Sequence, residues 1–247
     1  MPAITWTPTA LASEVRSWQG AGWRAVEAQH RVATMLLTGG QLADQALLES
    51  ILDEAKPPVP DGLAGLHWLL STPFRYQPPA TGSRFRQPHE PGVLYGASER
   101  ATACAEAGYW RLRFWMDSAG LAGRTASMEM TLFEFHGASA RMLDLCEPPL
   151  VRDRGRWTDA DDYGATQALA ALARRAAVEL LRYESVRHPT GRCLAVLDPA
   201  VFRAVAEPYR HEQQGWHLVL APPATVVWQR HLDGESFSFD FPGMTRH

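Results

Sequence analysis

The 247 residues carry 24 basic and 27 acidic side chains, a formal net charge of −3, with 46% hydrophobic and 21% charged residues. That balance argues against a chain built to wrap nucleic acid, which shows a strong basic excess, and against a disordered or fibrous one. The length suits one large domain, or one of ordinary size with an accessory segment.

Taken in chain order, apolar residues recur from Leu11 at Val15, Trp18, Ala25, Ala28, Val32 and Leu36, with Gly22 in the one missing place. The spacing predicts a helix. After Gly39-Gly40, "LADQALLESILDEA" repeats the pattern through Leu47, Leu48, Ile51 and Leu52. Residues 1–60 are therefore expected to be a small helical segment. The stretch "KPPVPDG", residues 56–62, cannot continue a helix and marks a boundary, with a second unit over 61–247. Asp61 is expected to cap a short helix through Leu63, Leu66, Leu69 and Leu70 that ends before Pro73.

Beyond the boundary the texture mixes. "GVLYGA" reads as a short buried strand and "SERATACAEAGYWRLRFWMDSAG" as a helix with Ser98 at its N-cap. "ASMEMTLFEFH" has strand period, "ATQALAALARRA" is helical, and "CLAVLD", "WHLVLA", "TVVWQRHL" and "SFSFDF" supply further strands. Such alternation predicts an α+β domain. An apolar run of about 18 residues and a basic leader with an apolar core are both missing, so the expectation is a cytoplasmic protein with no membrane span.

The chemistry is narrowed first by exclusion. GxxxxGK[ST], GxSxG and HExxH are absent, and "GAGWRA" lacks the third glycine and the preceding strand of a dinucleotide fingerprint. Cys104, Cys146 and Cys193 are scattered and odd in number, and the nine histidines form no ligand pair, so neither a disulfide framework nor a metal site is expected.

Four positions and a fifth remain. Arg84 lies in the Gly/Ser loop "TGSRFR", and Arg75 precedes it in "PFRYQPP"; two guanidiniums suit a pyrophosphate, and a structural salt bridge is the alternative. Tyr95 in "GVLYGA" either packs in the core or meets a ligand. Glu106 follows alanines at 101, 103 and 105; if that helix face is buried, its carboxylate needs a partner or a function, and if not it faces solvent. Ser185 in "LLRYESVRHPTG" is a cap, a turn residue or a member of the same set.

The stretches "FRYQPPATGSRFRQPHEPGVLYGASERATACAE" and "LLRYESVRHPTGRCLAVLDP" together resemble the RES domain, named for its Arg, Glu and Ser. The pattern is a Gly-Gly/Ser-Arg-aromatic loop, a strand ending Val-x-Tyr-x-Ala, a helix with Ala-x-x-Glu, and a later apolar segment leading to the Ser. It falls here on Arg84, Tyr95, Glu106 and Ser185, with Arg75 matching an earlier arginine, over about residues 66–240. "GSRFR" stands where many members have "GGRWN", so Arg86 replaces an amide.

The resemblance implies an ADP-ribosyltransferase-like fold and a toxin that depletes NAD+ by cleaving its nicotinamide–ribose bond, with water or inorganic phosphate as acceptor and no resident cofactor. It also implies an Xre-type helix-turn-helix antitoxin as partner. In that reading Arg75 and Arg84 hold the pyrophosphate and Tyr95 contacts the nicotinamide riboside. Glu106 stabilises the ribosyl cation, and Ser185 orients Glu106 or the ribose. Two alternatives stay open: transfer of ADP-ribose to a macromolecule, and a silent interaction protein. The N-terminal helices are expected to pack on the core, to pair two copies, or to receive the antitoxin.

Overall fold

A computed structural model describes residues 5–28, 38–39, 41–54, 57–58, 60–76 and 82–244. Its helices are α1 (Pro8–Ser13), α2 (Leu42–Glu54), α3 (Trp68–Arg75), α4 (Arg100–Asp117), α5 (Arg154–Trp157), α6 (Gly164–Arg175) and α7 (Ala200–Arg203). Its strands are β1 (Arg16–Glu27), β2 (Leu94–Ala97), β3 (Ala126–Asp144), β4 (Leu180–Glu184), β5 (Arg192–Val196), β6 (Tyr209–Ala221), β7 (Thr225–Arg230) and β8 (Ser236–Asp240). The architecture is the expected α+β.

One sheet unites the strands in the order β1-β2-β5-β4-β3-β6-β7-β8, and β1 also pairs with β3. That extra pairing closes the first five strands into a ring. Only β3 with β4 is parallel. The length of β3 makes closure possible: β6 pairs with its first half, β4 with its end at Met142–Asp144, and β1 runs along its other edge. The remaining three strands extend the sheet as a meander, Trp216↔Arg230 and Trp228↔Phe237 fixing its register.

The helix expected over 11–36 is corrected. Its start is α1 and its middle is β1, whose Trp18–Glu27 pair residue by residue with Ser139–Met130; residues 29–36 lie outside the described ones. Gly20 and Gly22 each cost a helix about 1 kcal/mol relative to alanine, and two hydrogen-bonding neighbours outweigh the helical period. Residues before the proline-rich boundary thus contribute a strand to the same sheet as those after it. α2 matches its prediction, with Leu42, Leu47, Ile51 and Leu52 exposed.

Two caps also move. The helix near Pro73 begins at Trp68, where the His67 ring accepts from Leu69 N–H, and it runs through Pro73 to Arg75. α4 is capped at Glu99 rather than Ser98, with no side-chain cap bond. The core beneath α4 and α6 includes the fully buried Trp157, Trp216 and Trp228. A second cluster around Phe133, Phe135 and Phe202 packs within and beside the ring.

Candidate functional site

A cavity of about 740 Å³ lies between α4, β1, β2 and the loop that leads into α6. Four α4 side chains line it, Ala103, Glu106, Ala107 and Trp110. Their spacing of 3, 4 and 7 residues puts them on one helix face, so a carboxylate is flanked by small side chains that leave room beside it.

Glu106 is only half buried, and it has a partner. Its Oε1 accepts from Ser185 Oγ at 2.6 Å, and the Cys193 thiol lies 3.8 Å away. Ser185 Oγ itself accepts the N–H groups of Arg187 (3.2 Å) and His188 (3.0 Å), so its hydrogen is directed at the carboxylate. Among the described residues nothing bonds Oε2. Burial first, then the Glu106 charge, pushes the Cys193 thiol well above its usual range. Burial likewise raises the nearby Tyr183 hydroxyl, so both stay protonated beside the carboxylate.

Arg84 reaches the cavity from the loop before β2. Its Nη1 donates to the carbonyls of Trp157 (3.1 Å) and Asp159 (2.8 Å), and its guanidinium lies 4.5 Å from the centre of the Tyr163 ring. Nε and Nη2 make no bond among the described residues. The loop needs glycine at Gly82, where φ is +72° and a Cβ would meet the Arg86 carbonyl at 2.3 Å. Tyr95 holds this loop as well as lining the cavity: its hydroxyl accepts Phe85 N–H at 2.9 Å and pairs with Ser83 Oγ at 2.8 Å. Arg86 is buried and spent on the carbonyls of Glu90 and Tyr76.

Arg84, Tyr95 and Glu106 therefore line one cavity, and Ser185 touches it through Glu106. Arg75 is not among the lining residues. It sits in the last turn of α3, with Nε bonded to the Pro57 carbonyl and its guanidinium 6.0 Å from the Tyr76 ring.

Two other arginines do line the cavity. Arg24 of β1 donates to the Tyr95 carbonyl at 2.5 Å, its buried Nε has no partner, and burial pushes its pKa down to about 10. Arg187 bonds the Ala160 carbonyl at 3.0 Å and lies 3.5 Å from the centre of the Tyr109 ring. Trp23, Trp110 and Tyr163 add aromatic faces. Sequence reasoning missed Trp23 and Arg24 because they sit in the segment read as helix; Arg187 stood two residues after Ser185.

The cysteines give a direct check. Cys104 and Cys193 are buried, whereas Cys146 is half buried with its pKa raised to about 11, by burial and then by Asp144. Brief iodoacetamide treatment of the native protein at about pH 8 is expected to modify Cys146 slowly and the other two only after unfolding. Peptide mass spectrometry showing Cys193 alkylated first would contradict the site geometry. Among the described residues no cluster of three or more metal-ligating side chains occurs. No described helix is long and apolar enough to cross a membrane.

No curated protein matches the chain. Among solved structures, the chain is similar to one in the crystal structure of the M. tuberculosis MbcT–MbcA toxin–antitoxin complex, with a TM-score of 0.46 and 13% identity over 86% of this chain and 92% of that one. The RES domain family model matches residues 59–238, a span holding Arg84, Tyr95, Glu106 and Ser185. The chain therefore belongs to the RES domain family.

Proposed function

We propose that this protein is the toxin of a toxin–antitoxin pair and that it consumes NAD+ by breaking the nicotinamide–ribose bond. The observation that carries the reading is Glu106, a carboxylate fixed on one oxygen and unbonded on the other, in a cavity also lined by Arg24, Arg84 and Arg187. Membership of the RES family supports it.

The chemistry suits those groups. When the C1′–N bond breaks, its electron pair goes to the pyridinium nitrogen and nicotinamide leaves neutral, so little general-acid help is needed. Positive charge develops on C1′ and the ring oxygen, where a preorganised carboxylate acts most strongly. Glu106 Oε2 faces that charge, and Ser185 holds the rotamer. Water then adds at C1′ and loses its proton, giving ADP-ribose; phosphate as acceptor gives its phosphorylated form. The guanidiniums of Arg84 and Arg187 bind the pyrophosphate in forked geometry, and Arg24 adds a buried cation. The cytoplasmic NAD+ pool is the target, and an Xre-type helix-turn-helix protein is the neutralising partner.

NAD+ labelled in its adenine separates the acceptors. Label in free ADP-ribose or its phosphorylated form supports cleavage; label accumulating on a macromolecule would replace it with transfer. Arg187→Ala is expected to raise KM for NAD+ about tenfold or more, because a charge-assisted bond contributes roughly 1.5–3 kcal/mol. An unchanged KM would remove Arg187 from the binding set.

A further inference from the structure

The cavity has a direction. Its α4 face runs from Ala103 through Glu106 and Ala107 to Trp110, and a helix rises about 1.5 Å per residue, so Trp110 lies about 6 Å further along than Glu106. Side-chain contacts mark what stands at each end. At the start of α4, Arg100 lies 5.7 Å from the centre of the Trp23 ring and is paired with Glu235 at 2.7 Å. Trp23 faces Ala97 across the β1–β2 ladder, and Ala97 and Ala103 both line the cavity. That end is a slot lined by one indole and small side chains, with the Arg100–Glu235 pair against the indole.

The other end is cationic. Arg187 lies over Tyr109, the residue before Trp110, and Arg84 lies over Tyr163. Both guanidiniums also grip carbonyls of the loop over residues 157–160. Along α4, Glu106 lies between Arg100, which contacts the indole, and Tyr109, which Arg187 covers.

A dinucleotide whose reacting ribose sits at Glu106 has its nicotinamide on one side of that ribose and its pyrophosphate on the other. With the pyrophosphate at the arginines, the nicotinamide falls in the slot. We propose that Trp23 is the stacking platform for the nicotinamide ring, and that the dinucleotide runs along α4 with its adenosine toward Trp110. This rests on the NAD+-cleaving reading. It also gives β1 a role in substrate selection, although β1 lies outside the span matched by the RES family model. An indole face suits the cationic pyridinium of intact NAD+ better than the neutral product, so Trp23 contributes to substrate affinity more than to the bond-breaking step.

The test is product inhibition of NAD+ cleavage by nicotinamide and by ADP-ribose, in wild type, Trp23→Ala, Trp23→Phe and Trp110→Ala. Stacking contributions of roughly 1–3 kcal/mol set the scale of about five- to a hundredfold. Trp23→Ala is expected to raise the nicotinamide inhibition constant within that range and the KM for NAD+, with kcat lowered less and the ADP-ribose constant within about twofold; Trp23→Phe recovers most of the loss. Trp110→Ala is expected to weaken ADP-ribose and spare nicotinamide. The proposal is overturned if Trp23→Ala leaves nicotinamide inhibition unchanged, or if Trp110→Ala alone weakens it, which reverses the direction. Should Trp23→Ala fail to fold, Trp23→Phe and Trp110→Ala still decide the direction. A wild type that cleaves NAD+ while Trp23→Ala behaves like it defeats only this inference; a wild type that leaves NAD+ intact defeats the functional reading with it.

Discussion

Glu106→Gln is expected to lower kcat for NAD+ cleavage by about 10²–10³-fold or more, with KM changed far less, because the lost charge acts on the transition state. The geometry makes the substitution clean. An amide is nearly isosteric with the carboxylate, and its carbonyl can still accept the Ser185 hydroxyl that lies 2.6 Å from Oε1. What disappears is the negative charge facing the cavity. Ser185→Ala is expected to act in the same direction but more weakly: the carboxylate remains, while its rotamer is no longer held and the N–H groups of Arg187 and His188 lose their acceptor. Steady-state NAD+ consumption by purified variants measures both, and Glu106→Gln at the wild-type rate would end the proposed mechanism.

The largest expected loss of stability comes from two glycines under one phenylalanine. Phe135 of β3 is fully buried, and its ring fills the space left by Gly22 on β1 and Gly96 on β2. A Cβ on Gly22 would stand 2.3 Å from Phe135 Cζ and 2.9 Å from Leu194 Cδ1; one on Gly96 would stand 2.6 Å from Phe135 Cε1. The ring has nowhere to go in a close-packed core. Gly22→Val is therefore expected to destabilise by about 3 kcal/mol, lowering Tm by roughly 6–12 °C for a chain of this size. Phe135→Leu should relieve part of that loss in the double variant, a coupling between touching residues. A melt of Gly22→Val that coincides with wild type would contradict this packing. Because β1 carries Trp23 and Arg24 beside Gly22, the same contact positions one wall of the cavity.

Much of the fold beyond residue 90 was legible because its elements are locally consistent. β3 shows strand alternation, α6 shows a continuous helical face, and the last two meander strands, β7 and β8, are short and rich in aromatic or β-branched residues between turns. β1 was not legible. Its apolar residues fit a helical period by chance, and only pairing along β3, more than a hundred residues away, decides against it. Helix α3 runs through Pro73, although that residue has no N–H to donate to the carbonyl four residues back, and it ends two residues later at Arg75.

The site divides along the same line. Residue type left a structural alternative open for each of Arg84, Tyr95 and Glu106, and it was the resemblance to the RES domain that singled them out; the structure brings them to one cavity with Ser185 bonded to Glu106. Arg75 looked equivalent to Arg84 in sequence, yet α3 directs it to the Pro57 carbonyl. Arg24 and Trp23 carried no signal, since their value depends on a strand joining a ring that local periodicity does not reveal. Tyr95 gained a second role, because its hydroxyl ties the arginine loop to β2.

The most direct measurement is nicotinamide release from NAD+ by the purified protein, freed of any bound partner and followed by chromatography alongside Glu106→Gln. The proposed function predicts equimolar nicotinamide and ADP-ribose, or its phosphorylated form when phosphate is present, from the wild type and almost none from the variant. Intact NAD+ after prolonged incubation, or equal release by both proteins, would contradict it.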